Sequence, residues 1–134
     1  MTRKHQNLID LAKQATGYKE LTKDVAMGKV ACVLRTKSGK IYTGVSVTSS
    51  VNLGWCAEIS ALSQMINDDE TQVEVIVGVS DDGKIIPPCG RCREFMYQLN
   101  RKNLQAKVLF PGGKTMTLEE LLPERWQEHW VGRE

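Results

Sequence analysis

Two short segments hold most of the residue types that do chemistry. Trp55-Cys-Ala-Glu58 sets a thiol and a carboxyl two positions apart, and Pro87-Pro-Cys-Gly-Arg-Cys92 sets two thiols at i and i+3. Zinc takes thiolate or imidazole ligands in a tetrahedron at about 2.3 Å for sulfur, which spaces neighbouring sulfurs about 3.8 Å apart. Cys89 and Cys92 fall on one face of a helix and can meet that spacing, and Cys56 supplies a third ligand from elsewhere in the chain. Glu58 imposes a constraint, because in mid-helix it would point roughly 160° away from Cys56. The pair serves one metal only if the site lies end-on to the helix, where free N–H groups and the positive end of the dipole favour thiolates. Three protein ligands leave a fourth position for water of lowered pKa, the mark of a catalytic zinc, and Glu58 is placed to move the proton. Arg91 and Arg93 are candidates to offset the negative charge of three thiolates around a dication.

Two plainer readings compete. A closed four-cysteine site would add Cys32, but that residue sits mid-run in Val30-Ala-Cys-Val-Leu34, where a thiol is an ordinary buried filler. A redox Cys-x-x-Cys would need only Cys89 and Cys92 and would leave Cys56 and Glu58 without a task.

The elements that must carry these segments can be read from periodicity. Leu8, Leu11, Ala12 and Ala15 mark an amphipathic helix that Gly17 can end, and Val30 to Leu34 reads as a strand covered on both faces. Lys37-Ser-Gly-Lys40 turns the chain into a partner strand, Ile41 to Val47. Ile59, Leu62 and Ile66 define a second helix, Val73 to Val79 another strand, and Cys92, Phe95, Met96 and Leu99 a third helix. Ala106 to Phe110 follows as a strand, so strand, helix, strand implies a parallel crossover; Lys114 to Met116 reads as a short edge strand. Thr117-Leu-Glu-Glu120 has the form of a capping box. The sum is a three-layer α/β domain over residues 1–134, its mixed sheet antiparallel at the first hairpin and parallel later.

Bulk properties narrow the classes. A net charge of +2 with scattered basic residues gives little drive to bind a polyanion, so no nucleic-acid partner is expected. No apolar run approaches the roughly 20 residues of a membrane span, and Asp10 and Lys13 interrupt any signal-like stretch, so a cytoplasmic protein with no membrane partner is expected. Four cysteines in a reducing compartment point to metal or catalysis rather than disulfides. His5 and His129 lie in polar terminal segments and do not read as ligands.

Cys-x-Glu followed by Pro-Cys-x-x-Cys resembles the zinc signature of the cytidine deaminase superfamily. Cysteine at the first ligand is similar to the small branch that includes cytidine deaminase and blasticidin-S deaminase. Arg35 to Gly44 and Leu121-Leu-Pro123 extend the likeness, and Pro88-Cys-Gly-Arg-Cys-Arg93 is closest to the blasticidin-S enzymes. The resemblance implies a cytidine deaminase-like α/β/α sandwich with a five-stranded sheet, one Zn2+ per chain, and hydrolytic deamination of a small cytosine-type aminoheterocycle. It makes Glu58 the proton shuttle, has the N–H of Ala57 hold the pyrimidine carbonyl, and sets Trp126 near the pocket of a homotetramer whose sites are completed by neighbours. The departures bear on substrate. The Asn and Glu that hold the ribose in cytidine deaminases correspond to Ser46 and Thr48, a stacking Phe corresponds to Gly28, and an Arg after Cys-Ala-Glu is Ile59, leaving Arg91 as partner of the thiolates. A shorter loop before Cys56 and the small Gly28 are expected to leave room for a bulkier substituent. Plain cytidine is therefore expected to be a poor substrate, with blasticidin S or another non-nucleoside ring as the first rival and a non-catalytic zinc module as the second.

Overall fold

Central strands buried on both faces organise the computed structural model, which describes residues 2–130. The chain runs α1 (Arg3–Ala15), β1 (Lys19–Glu20), β2 (Val25–Thr36), β3 (Ile41–Ser49), α2 (Ala57–Asn67), β4 (Val73–Ser80), β5 (Ile85–Ile86), α3 (Gly90–Leu99), β6 (Lys107–Leu109), β7 (Thr115–Thr117), α4 (Leu118–Leu121) and α5 (Trp126–His129). Five strands lie in the order β3-β2-β4-β6-β7, and single turns of 3-10 helix fill several connections. β2 pairs antiparallel with both β3 and β4, whereas β4 and β6 are parallel across the α3 crossover. The sheet has seven strands rather than five, because β1 adds to Ala26 and Met27 of β2 and β5 adds to Gly78 and Val79 of β4. Two-residue strands carry no period, so sequence alone could not mark them.

Val33, Val75, Val77, Val79 and Leu109 point to one face, where Leu8, Ile9 and Ala12 of α1 cover them. Cys32, Leu34, Ile76 and Val108 point to the other, against Ala57, Ala61, Leu62 and Met65 of α2 and Met96 and Tyr97 of α3. Burying each large aliphatic side chain contributes roughly 1.5–3 kcal/mol, so both faces hold their helices firmly. The buried stripe of α1 is rotated from the one periodicity suggests, with Ile9 inside and Leu11 39% exposed. Both flank the Leu8–Ala12 ridge, and only the sheet decides which flank it meets.

α3 is fixed at its far end by a buried amide. Asn103 accepts from the Val73 N–H (2.8 Å) and donates to the carbonyls of Thr71 (2.9 Å) and Met96 (2.8 Å). The end of α3 is thereby bracketed to the start of β4. Thr117 and Glu120 form the expected capping box at α4. Among the described residues no helix is long and apolar enough to cross a membrane.

Candidate active site

α2 lies unusually close to the sheet because β3 carries Gly44 at the crossing. A Cβ there would fall 2.4 Å from the Ala61 nitrogen and 2.7 Å from the Ala57 oxygen. The entry to α2 is set by a two-bond bridge between Val47 and Trp55, 3.0 and 2.9 Å, after which Cys56 takes the N-cap position. At α3 the approach is Pro87-Pro88, whose rings fix φ, and Cys89 is the N-cap. Arg93 secures this approach: its guanidinium donates to the Pro88 carbonyl (2.9 Å) and to the Leu121 carbonyl (3.1 Å).

Two helix N-termini therefore meet end-on. The sulfurs of Cys56 and Cys89 are 3.5 Å apart, those of Cys89 and Cys92 3.3 Å, and all three lie within 4.8 Å of one another. A zinc tetrahedron asks for about 3.8 Å, which the two shorter separations approach to within a few tenths of an ångström, and a three-thiol set is a soft donor set suited to the metal. Glu58 is only 5% exposed, with Oε1 3.9 Å from the Cys92 sulfur. Gly78 of β4 leaves the space it occupies, since a Cβ there would sit 3.2 Å from Glu58 Oε2. Cys32 is buried in β2 and outside the thiol cluster, so the closed four-cysteine arrangement does not form.

Burial dominates the electrostatics of this cluster. It raises the Glu58 carboxyl above its ordinary value, against the opposing pull of its own backbone N–H and the Cys92 thiol. Burial likewise raises Cys56, and it pushes Cys92 far up with help from the Glu58 charge. Cys89 moves the other way: burial acts upward on it but is outweighed by hydrogen bonds from the Cys92 and Arg91 backbone and from the neighbouring thiols. A dication among the three sulfurs is the natural counterweight to this crowding of anionic groups.

A cavity of about 520 Å³ opens onto the cluster, with Cys56, Ala57, Glu58 and Cys89 on its wall together with Ser46, Thr48 and Arg91. Ser46 has a structural duty as well, accepting the Val30 N–H at 3.0 Å where the β2–β3 register shifts between Met27 and Ala31. Trp126 does not line the cavity within one chain; it is 41% exposed and packs on Trp130, ring centroids 5.2 Å apart. Arg93 is engaged with the two backbone carbonyls. Gly28 leaves no extra room, because the direction of its absent side chain is filled by Gly17, whose oxygen would lie 2.1 Å from a Cβ. Residues that sequence reasoning missed are Lys29, Val47, Asn52 and Ile86 on the wall and Gly44 and Gly78 beneath it.

Comparison with known proteins agrees with this geometry. Residues 2–107 match the family model described as "Cytidine and deoxycytidylate deaminase zinc-binding region". The chain is 32% identical over 103 residues to a cytidine deaminase of Halalkalibacterium halodurans, covering 71% of this chain and 74% of that one. It is 39% identical over 69 residues to a probable cytidine deaminase of Dictyostelium discoideum, covering 50% and 47%. Against the cytidine deaminase of Vibrio atlanticus the match covers 71% of this chain and 31% of that enzyme. Among solved structures, the cytidine deaminase of Mycobacterium leprae superposes with a TM-score of 0.75 at 25% identity, covering 92% of this chain and all of that one (100%). That of Burkholderia pseudomallei gives 0.70 at 28%, covering 92% and 98%.

Proposed function

Because the chain belongs to the cytidine and deoxycytidylate deaminase family of zinc-dependent hydrolytic deaminases, we propose that its cavity removes the exocyclic amine of a small cytosine-type heterocycle, with Cys56, Cys89 and Cys92 as metal ligands and Glu58 as proton shuttle. The observation that carries this assignment is the buried carboxyl 3.9 Å from one sulfur of the three-thiol cluster, at a cavity large enough for a heterocycle. When bound, zinc supplies Lewis acidity that lowers the pKa of water at the point of attack. Glu58 would carry two protons in turn, the first from the attacking water to the ring nitrogen and the second from the added hydroxyl to the departing amine, so that ammonia leaves and a carbonyl remains. The N–H of Ala57, at the first turn of α2, is free of the helix ladder and orients the ring carbonyl. Arg91, one residue from each of Gly90 and Cys92, offsets charge left on the thiolates.

The substituent on the ring is read by weak means. Ser46 is occupied with Val30 and Thr48 carries no charge, so no carboxylate accepts a ribose hydroxyl from these positions. Hydrogen bonds to charged partners contribute about 1.5–3 kcal/mol, so cytidine should be processed roughly 10- to 100-fold less efficiently than by a relative with such a carboxylate. Blasticidin S and other modified rings are the second reading, favoured by this same lack. The native particle is a homotetramer in a reducing cytoplasmic setting, and Trp126 reaches a neighbour's cavity; light scattering showing an active monomer would contradict the assembly. Glu58→Gln tests the chemistry: it should retain zinc and fold but lose at least about a hundredfold in ammonia release. Near-normal turnover would exclude Glu58 as shuttle, and a kcat/KM for cytidine above about 10⁵ M⁻¹s⁻¹ would sink the substrate reading.

A further inference from the structure

The sheet surface beneath Glu58 is uneven in height. Directly opposed residues on neighbouring strands send their side chains to the same face, so each cross-strand row has a height set by its residues. On the face covered by α2, one row is Tyr42 of β3, Leu34 of β2 and Ile76 of β4, all large. The next row is Gly44, Cys32 and Gly78. The first turn of α2 and the Glu58 side chain come down into the trough this row makes. A Cβ at Gly44 would meet the Ala57 oxygen at 2.7 Å, and one at Gly78 would meet Glu58 Oε2 at 3.2 Å.

Cys32 is the one side chain in that row. It is fully buried, in a single cluster with Ala57, Ala61 and Leu62 of α2, and it stands outside the group of thiols suited to a metal. Burial, and after it the Glu58 charge, hold its thiol well above the ordinary value, so a neutral, weakly polar sulfur lies near the carboxylate. At both flanks of the row the backbone itself is the floor; at the centre the sulfur rises one atom above Cβ. Without that atom, a void would open beside a carboxylate, whose polarity gives an entering water a partner.

We propose that Cys32 is a positioning residue for Glu58: its sulfur is the stop that keeps the carboxylate from sinking towards the sheet, holds it level with the Cys92 sulfur 3.9 Å away, and excludes water from beneath it. The proposal rests on the deaminase reading for the task of Glu58 and on the sheet register for its placement.

Zinc-loaded wild type, Cys32→Ala and Cys32→Ser are compared by crystallography, elemental analysis, urea unfolding and steady-state kinetics on the aminopyrimidine turned over fastest in a screen. Alanine removes the stop, whereas serine keeps a heavy atom in its place. In Cys32→Ala the carboxylate should shift by roughly 0.5–1 Å relative to the metal, or a water should enter beneath it, with zinc content unchanged. Its kcat should fall at least about tenfold while KM stays within about twofold, because the loss concerns proton transfer and not substrate binding. Cys32→Ser should keep the carboxylate in place and recover most of the lost kcat. A residue that only filled the core would lower the urea midpoint and leave kcat of the folded protein alone. An unmoved carboxylate over a dry floor, a kcat of folded Cys32→Ala within about twofold of wild type, or an equal loss in Cys32→Ser overturns the proposal. Should Cys32→Ala not fold, Cys32→Val, which pushes a branched side chain up against the carboxylate, is read by the same displacement and kcat criteria. If wild type turns over no aminopyrimidine, the deaminase reading falls, and the carboxylate position alone keeps or removes Cys32 as its stop.

Discussion

Replacing Gly44 by alanine probes how α2 delivers its end of the site. The added Cβ would lie 2.4 Å from the Ala61 nitrogen, 2.7 Å from the Ala57 oxygen and 2.7 Å from the Ser60 Cβ. Ordinary contact needs at least about 3.4 Å, so the helix must retreat by roughly 1 Å, and two of the three obstacles are backbone that cannot swing aside. Overpacking of this kind costs about 1–3 kcal/mol, or roughly 4–12 °C of melting temperature for a chain of this size. Because Cys56 and Glu58 ride on the first turn of α2, the same retreat moves them from the α3 thiols, and a 1 Å misplacement can cost about a hundredfold in rate. Gly78→Ala is the internal comparison. Its Cβ would meet the Glu58 carboxylate tip at 3.2 Å as well as the Ile86 oxygen, so the loss should fall on turnover far more than on stability. Urea unfolding, zinc content and kcat on the best substrate, measured for both variants, decide the matter. A Gly44→Ala protein of wild-type stability and rate would refute the claim that this crossing sets the site.

Cys89→Ala should lose zinc and much stability, since structural zinc binding is worth roughly 10 kcal/mol or more; full metal content by elemental analysis would remove Cys89 from the ligand set. Arg93→Lys should release zinc to a chelator nearly as fast as Arg93→Gln, because the fork to Pro88 and Leu121 is lost while the charge is kept. Slow release from Arg93→Lys alone would return Arg93 to an electrostatic role. Glu74 is held below its ordinary pKa chiefly by the hydrogen bond from Arg35, so its contribution is present above the unfolded value of about 4.3 and lost as pH falls through the folded value. Glu74→Gln should therefore lower the urea midpoint at neutral pH and converge on wild type in acid, and an equal gap at both ends of the range would contradict the pairing.

The thiols and Glu58 were legible because their spacing is itself a geometric constraint: a carboxyl two residues past a ligand can share its metal only at a helix end, and Cys56 is an N-cap. Val30–Leu34 and Val73–Val79 were legible because central strands are apolar on both faces. Lys29 was not, since an irregularity in pairing leaves no period in sequence. Gly44 and Gly78 announce only that something comes near, and what comes near is set by a helix on another segment. Arg93 misled for a related reason: beside three thiols its charge is the obvious reading, yet one of its partners, Leu121, is 28 residues away.

The bracket made by Asn103 also shapes how the site can move. Its partners Thr71 and Val73 lie just before and at the first residue of β4, and between them and Asn103 run β4, β5, Pro87-Pro88, Cys89, Cys92 and α3. One amide thus cinches a loop that carries one side of the cavity wall, with Ile86, Pro87, Cys89 and Arg91. Opening of that side must either stay within the loop or sever the hydrogen bonds to Thr71 and Val73 together, so its amides should exchange with solvent as a single cooperative unit. The rest of the wall, carried on β2, β3, the segment after β3 and the start of α2, sits outside the cinch. Fluctuations that admit or release a ligand are therefore expected at the seam between the two, where the rim carrying Thr48 to Asn52 faces Pro87 and Arg91.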